Sequence, residues 1–215
     1  MKLMCAAVRA GLILSLAASI APILCSPAGA KDKKEKQEGR AGSWKNGAQG
    51  SPSLDACKKR AEEHPQDAEA QNDLGWALRQ NGDLKAAEVK LRESIKLNPS
   101  LGYAHSNLSV VLLDGGQKPE ALTEAQKAVA LDGKQAIYHS VLGNALSANG
   151  DTKGAINEYK SALLIRPDYE NALYNLGRVL DLDGQQTEAK VVLSQALALD
   201  PGDDRVVKLL DQLMK

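Results

Sequence analysis

Apolar residues between Ala68 and Asp203 fall at helical rather than strand spacing, in paired segments. The clearest unit runs from Ala136 to Tyr169, AIYHSVLGNALSANGDTKGAINEYKSALLIRPDY. Leu142, Gly143 and Leu146 give a first helix an apolar face at i, i+1, i+4. Asn149-Gly150-Asp151 ends it, because glycine accepts the positive φ that a tight turn needs. Ala155, Tyr159 and Ala162 give a second helix a face at i, i+4, i+7. Pro167 stops that helix, since proline lacks the N–H and clashes with the preceding turn.

A shift of 34 residues reproduces the pattern. One copy earlier the marks are Leu108, Leu112, Gly116, Ala121 and Ala128; two copies earlier they are Leu74, Gly75, Leu78, Gly82, Ala87, Leu91 and Pro99. One copy later they are Leu176, Gly177, Leu180, Gly184, Ala189, Leu193, Ala196 and Pro201. Copies in register at a fixed period predict an array whose units bury their apolar faces against each other. The unit resembles the tetratricopeptide repeat, over roughly Ala68 to Asp203. The resemblance implies an all-α fold, a right-handed α-solenoid of stacked antiparallel helix pairs with repeats 68–101, 102–135, 136–169 and 170–203. Gly75, Gly143 and Gly177 fall where the two helices of a repeat approach closely, and Ala87, Ala121, Ala155 and Ala189 match them on the second helix. A side chain larger than a methyl there would force the helices apart. Two positions depart from the pattern. Ser109 replaces the small residue, so its hydroxyl is expected to bond the carbonyl of His105. Gly133 replaces the proline, so that helix end is expected to be looser.

The flanks extend this plan. Residues 53–67 read as a half-repeat whose helix, Leu54 to Glu63, ends before Pro65. Residues 204–215 read as a capping helix, with Val206, Leu209, Leu210 and Leu213 on one stripe and Asp203 or Asp204 at its N-terminus. Lys208, Asp211, Gln212 and Lys215 are expected to face water. Residues 1–30 read as a signal peptide: Lys2 and Arg9 are basic, Gly11 to Leu24 is apolar, and Ala28-Gly29-Ala30 suits cleavage before Lys31. The apolar run falls short of the roughly 20 residues a membrane span needs. A lipid on Cys25 would be the alternative, but Leu24 is bulky where lipoprotein signals carry a small residue. Residues 31–52 read as a disordered polar linker, either a plain spacer or a basic tether, with only Trp44 as a large apolar side chain.

Charge and chemistry narrow the function. The chain has 27 basic and 27 acidic residues; loss of Lys2 and Arg9 leaves 25 against 27. The linker holds six bases and three acids, so the array is the more acidic part, which argues against nucleic acid as a partner. Cys5 and Cys25 lie in the signal, so Cys57 has no intramolecular cysteine to pair with and is expected to pack as a small apolar residue. No nucleotide loop, Cys-x-x-Cys, zinc helix or serine elbow occurs, so no catalytic residue, cofactor or metal is expected. Asn107-Leu108-Ser109 matches a glycosylation sequon by chance, since Leu108 is a core position. His105 and His139 lie 34 residues apart at equivalent positions; packing is the expectation, because a shared metal would lack a neighbouring carboxylate or thiolate. His64 reads as a surface residue near a helix end.

The resemblance also implies a site. In this family the first helices line a concave face that binds peptides. Mapped residue by residue, that face takes Asn72, Trp76 and Arg79, then Tyr103, Asn107, Val110 and Leu113, then Ile137 and Asn144, then Tyr174, Asn175 and Arg178. Asn107 and Asn175 stand where related superhelices use an amide to hold a peptide's backbone, a task suited to a group that donates and accepts. Trp76, Ile137 and Val141 occupy positions where chaperone adaptors of the family carry a clamp for a terminal carboxylate. An apolar or amphipathic partner segment is therefore expected rather than an acidic tail. The whole reads as an exported, non-enzymatic adaptor or scaffold of a bacterial cell envelope, periplasmic or secreted. The alternative is a self-associating structural protein, a homo-oligomer.

Overall fold

The computed structural model describes residues 53–214; residues 1–52, on which the signal-peptide and linker readings and Trp44 fall, and Lys215 lie outside the described residues. The described chain is all-α, an array of antiparallel helix pairs, as the hydrophobic period predicts. Helix α1 is Leu54–Glu63. The first pair is α2 (Ala68–Gln80) and α3 (Leu84–Leu97), and the second is α4 (Gly102–Asp114) and α5 (Lys118–Leu131). The third is α6 (Ala136–Ala148) and α7 (Thr152–Ile165), the fourth α8 (Glu170–Leu182) and α9 (Gln186–Leu199). Helix α10, Asp204–Leu213, closes the array.

Each pair turns in the same way. At the end of α2, Gly82 has φ of 85° and donates its N–H to Arg79, while Asp83 N–H reaches back to the carbonyl of Leu78 at 3.0 Å. That is a Schellman closure, which needs a left-handed residue and so selects glycine. Gly116, Gly150 and Gly184 repeat it with the same bonds. The starts of the second helices differ. Asp83 and Asp151 cap α3 and α7, accepting from Ala86 N at 3.0 Å and Gly154 N at 2.8 Å. Gln117 and Gln185 hold the same places before α5 and α9 without a side-chain cap bond.

Close approach inside a pair rests on complementary sizes. A Cβ on Gly75 would stand 2.7 Å from Leu91 Cγ, one on Gly143 2.7 Å from Tyr159 Cε1, and one on Gly177 2.5 Å from Leu193 Cγ. The bulky partner therefore lies sixteen residues on, while Ala87, Ala121, Ala155 and Ala189 are fully buried beside it. The second pair inverts the sizes, with Ser109 on α4 and only Ala125 on α5. The expected bond from Ser109 to His105 does not form: Ser109 Oγ is buried and meets no hydrogen-bond partner. The serine fits because its opposite residue has shrunk, not because its hydroxyl is satisfied. Gly133 does not shift the point at which its helix ends, although the closing bond there, 3.2 Å, is longer than the 2.9 Å at Asn98 and at Arg166. Helix α5 stops in the same register as α3 and α7, with Asp132 N–H on the carbonyl of Ala128 just as Asn98 N–H is on that of Ser94.

The first helices form the inner layer. Helices α2, α4, α6 and α8 each touch the next of their kind, whereas the second helices do not pack on one another to the same degree. The family resemblance places this more closely stacked layer on the concave side. Burial agrees: α4 buries ten of its residues and α5 four, so α4 is covered on more sides. The two ends are sealed by helices of their own. Cys57 and Ala61 of α1 join the core of the first pair. Val206 and Leu213 of α10 cover Leu176, Val192 and Leu193 of the fourth, with Leu209 and Leu210 half-buried alongside. Asp203 is the cap of α10, accepting from Arg205 N at 2.9 Å.

Candidate functional site

Asparagine opens the inner face. Asn72 on α2 is buried, and its Oδ1 accepts from Asn107 Nδ2 of α4 at 2.9 Å. The two amides thus join the first and second pairs. Asn72 Nδ2 is already placed on Asp73 Oδ1 at 3.3 Å. Trp76, one turn further, is 9% exposed, and its Nε1 is buried without a hydrogen-bond partner. Arg79 lies over its ring, with the guanidinium 4.7 Å from the centroid. The same guanidinium donates from Nε to Asp114 Oδ2 at 2.7 Å, tying the end of α2 to the end of α4. Stacking on the indole and pairing with a carboxylate together fix the planar fork of the arginine.

Helix α4 contributes Tyr103 and Asn107, both buried, and Val110 and Leu113, both half-buried. Val110 and Leu113 pack on the apolar cluster that contains Tyr103, Ile137, Val141 and Leu142. On α6, Asn144 is half-buried and its Oδ1 accepts from Tyr159 O–H at 2.6 Å. That bond aims the amide at its own second helix, so Asn144 positions Tyr159 as well as lining the face. Burial pushes the Tyr159 hydroxyl above the ordinary phenol range, against an opposing effect of Arg178. On α8, Tyr174, Asn175 and Arg178 are half-buried. Arg205 of α10 stacks over Tyr174 at 4.8 Å and pairs with Asp203 at 2.7 Å.

The face therefore divides by what its groups already do. Asn72, Asn107 and Arg79 are engaged across repeats, and Asn144 within one. Trp76 keeps an unused donor. Asp114 and Arg205 contact residues of this candidate face, at Arg79 and Tyr174, and the sequence reading did not name them. Arg79 and Asp114 are 35 residues apart, which is one period plus one, so the pairing is visible only once the stacking is known.

The histidines take a different part from the one expected. A carboxylate does stand beside each: His105 Nδ1 lies 2.6 Å from Glu124 Oε2, and His139 Nδ1 lies 2.7 Å from Glu158 Oε2. The spacing of nineteen residues occurs in both repeats and was available in the sequence. Among the described residues no group of three or more His, Cys, Asp or Glu side chains is placed to hold a metal. Among them, too, no helix is long and apolar enough to cross a membrane.

Comparison with known proteins agrees with this architecture. Two tetratricopeptide repeat family models match, one at residues 56–101 and the other at 146–213. The uncharacterized protein ycf37 of Cyanophora paradoxa is 30% identical over 117 residues, 53% of this chain and 68% of that protein. The BBSome complex member bbs-4 of Caenorhabditis elegans is 34% identical over 82 residues, 38% of this chain but only 18% of that protein. Among solved structures, TTC0263, a thermophilic protein of the same repeat class from Thermus thermophilus, superposes with a TM-score of 0.67 at 22% identity, covering 75% of this chain and 89% of that one. MamA superposes with a TM-score of 0.59 at 22% identity, covering 83% and 97%. YrrB, described as having an unusual peptide-binding site, superposes with a TM-score of 0.58 at 19% identity, covering 75% and 92%.

Proposed function

The chain belongs to the tetratricopeptide repeat family, and from that premise we propose a non-catalytic scaffold that binds an extended or helical segment of a partner protein along its inner face. The observation that carries this is Trp76. An array core filled by leucine and alanine does not need an indole on the inner layer, and the indole's N–H has no acceptor among the described residues. A buried donor left unmade costs about 1–3 kcal/mol, a cost that packing alone gives no reason to carry. Arg79 holds the ring from one side. Val110 and Leu113 extend the apolar surface into the second repeat, while Tyr174, Asn175 and Arg178 offer aromatic and polar contacts at the other end. This mixture suits an apolar or amphipathic segment with a few polar groups. Aromatic and arginine side chains also carry most binding energy at protein interfaces.

The segment Met1 to Ala30, with its basic start, apolar run and small-x-small end, supports export and work in the cell envelope after cleavage near Ala30. The test uses the chain as bait in its native envelope, crosslinked and co-purified. Trp76→Ala should lose the partner, with an affinity lower by about 2 kcal/mol or more. Val191→Glu, on an exposed position of α9, should keep it. A partner captured equally by both variants would place binding elsewhere on the array. The mass of the isolated chain in solution separates this reading from self-association, because a scaffold alone should be monomeric.

A further inference from the structure

The tripeptide Asn-Gly-Asp makes the turn of the first and the third helix pairs, at Asn81-Gly82-Asp83 and Asn149-Gly150-Asp151. The two turns share one backbone. Asn81 has φ −83° and ψ 1°, and Asn149 has φ −89° and ψ 2°. Gly82 and Gly150 follow at φ of 85° and 88°, and both turns are exposed. What differs is the asparagine side chain. Asn149 Nδ2 donates to the carbonyl of Lys118, on the first turn of α5 in the repeat before, at 2.9 Å, and to the carbonyl of Ala145 at 2.7 Å. Asn81 has no such tether: among the described residues its side-chain amide meets no hydrogen-bond partner. The helix before the first pair, α1, begins at Leu54, past the register that supplies the Lys118 carbonyl to the third.

An asparagine followed by glycine can close on itself. The glycine nitrogen gives its proton to base and bonds to the asparagine Cγ; the Cγ–Nδ2 bond breaks and ammonia leaves. Water then opens the cyclic imide at one of its carbonyls. The product is aspartate or, with the chain rerouted through the side chain, isoaspartate. Glycine favours the attack because it carries no side chain to block it. A folded turn restrains the reaction through the glycine N–H, which Gly82 donates to Arg79 at 2.9 Å and Gly150 to Ser147 at 3.1 Å. Such closures at exposed helix ends open by fraying, and this restraint is common to both turns. The amide must also swing until Cγ meets the glycine nitrogen, and only at Asn149 does that break hydrogen bonds. We propose that Asn81 is a site of spontaneous deamidation, and that the tether to the preceding repeat protects Asn149 from the same reaction.

The product sits at the end of α2. Aspartate there places a negative charge at a helix C-terminus, where the macrodipole disfavours it. Isoaspartate adds a methylene to the main chain within the turn. The bonds from Gly82 N–H to Arg79 and from Asp83 N–H to Leu78, at 2.9 and 3.0 Å, then lose their register. Arg79 lies in the last turn of α2 and Trp76 one turn before it. Deamidation therefore loosens the first-repeat end of the inner face. Its effect on binding rests on the reading of that face as the partner site; the modification itself does not, and it is measured with no partner present.

The experiment is peptide mapping of the full chain after incubation in mildly alkaline buffer. Digestion at slightly acidic pH adds no conversion of its own, tandem mass spectrometry locates each new acid, and electron-transfer fragmentation marks isoaspartate. Asn46-Gly47, outside the described residues, is followed by its own fragments. At the usual net strength of a hydrogen bond, the Asn149 tether slows conversion by about tenfold or more, so Asn81 should lead by that factor. In strong urea, where the tether is gone, the two should convert at the same rate. Conversion at Asn149 as fast as at Asn81 would overturn the proposal. So would a lead of Asn81 that persists in urea, since it would then belong to the local sequence, or an Asn81 that stays intact while a synthetic peptide of residues 78–85 converts. In the aged chain the amides of Gly82 and Asp83 should exchange hydrogen faster than in the fresh chain, and those of Gly150 and Asp151 should not. Equal exchange at Gly82 and Asp83 in both would overturn the loosening of α2.

Discussion

Gly143 and Tyr159 offer the sharpest test of how the helix pairs fit. An alanine at 143 would place its Cβ 2.7 Å from Tyr159 Cε1 and 2.9 Å from both Cδ1 and Cζ. Carbon atoms prefer about 3.5–4.0 Å, so the ring would have to retreat by close to 1 Å. It has nowhere to go. Tyr159 is fully buried, and its hydroxyl is fixed on Asn144 at 2.6 Å. Overpacking of this kind costs about 1–3 kcal/mol. Alanine gains about 1 kcal/mol over glycine inside a helix, so the single variant should lose up to roughly 2 kcal/mol net.

The informative measurement is the same change in a Tyr159→Ala background. Removing the ring costs about 3–5 kcal/mol by itself, through the cavity it leaves. With the ring gone, Gly143→Ala keeps its helix gain and meets nothing, so it should now stabilise by up to about 1 kcal/mol. The sign reverses between backgrounds, and the helix term cancels from the cycle. The coupling should therefore lie at about 1–3 kcal/mol. The protein already contains the relaxed version in Ser109 opposite Ala125. Urea titration followed by circular dichroism, with the slope checked for constancy across variants, gives the four stabilities. Equal effects of Gly143→Ala in both backgrounds, within about 0.5 kcal/mol, would show that the glycine is not there for close approach.

Other expectations are simpler. Leu142→Ala should cost about 2–5 kcal/mol in the same titration, because Leu142 is buried in the central cluster; a loss much below 1 kcal/mol would remove it from the core. Asp151→Ala should cost about 0.5–2 kcal/mol by uncapping α7, whereas Gln117→Ala should cost far less, since Gln117 makes no cap bond. Hydrogen bonds from the Arg205 side chain hold the Asp203 carboxyl below its usual range. Its contribution is thus complete above the ordinary carboxylate range and is lost as the pH falls through the lowered value. Hydrogen exchange at decreasing pH should show α10 opening early, and Asp203→Ala should already be open at neutral pH.

The helices were legible in the sequence because everything that makes them is local. Leucine and alanine at three- and four-residue spacing, glycine where Gly82 closes α2, and proline at 99, 167 and 201 each act within one turn or one connection. A fixed period then carries the same local answer four times. What escaped were pairings whose separation is set by how helices cross and stack. The residue that crowds Gly143 is Tyr159, sixteen positions on, and not the expected alanine twelve positions on. Local spacing ranks both as core and cannot tell which one faces the glycine. Ser109 was misjudged for the same reason: its hydroxyl was given a local acceptor, while the structure solves the fit through Ala125 across the pair.

Contacts between repeats were further out of reach. Asn72 meets Asn107, and Arg79 meets Asp114, each 35 residues away. The extra residue beyond the period reflects the offset between stacked helices, and no single repeat contains that information. Repetition can nevertheless expose such an offset when a pairing recurs. Histidine followed nineteen residues later by glutamate occurs at 105 and 124 and again at 139 and 158, and both pairs meet in the structure at under 3 Å. Asn72 and Asn107 have no successor, since Leu142 stands where a third amide would be needed. A pairing built twice in register marks a constraint on the repeat itself, whereas one built once marks what is particular to its end of the array. By that criterion the two histidine–glutamate pairs belong to the middle of the array. The Asn72, Trp76 and Arg79 group belongs to the first repeat alone, where a specific ligand contact would be expected to lie.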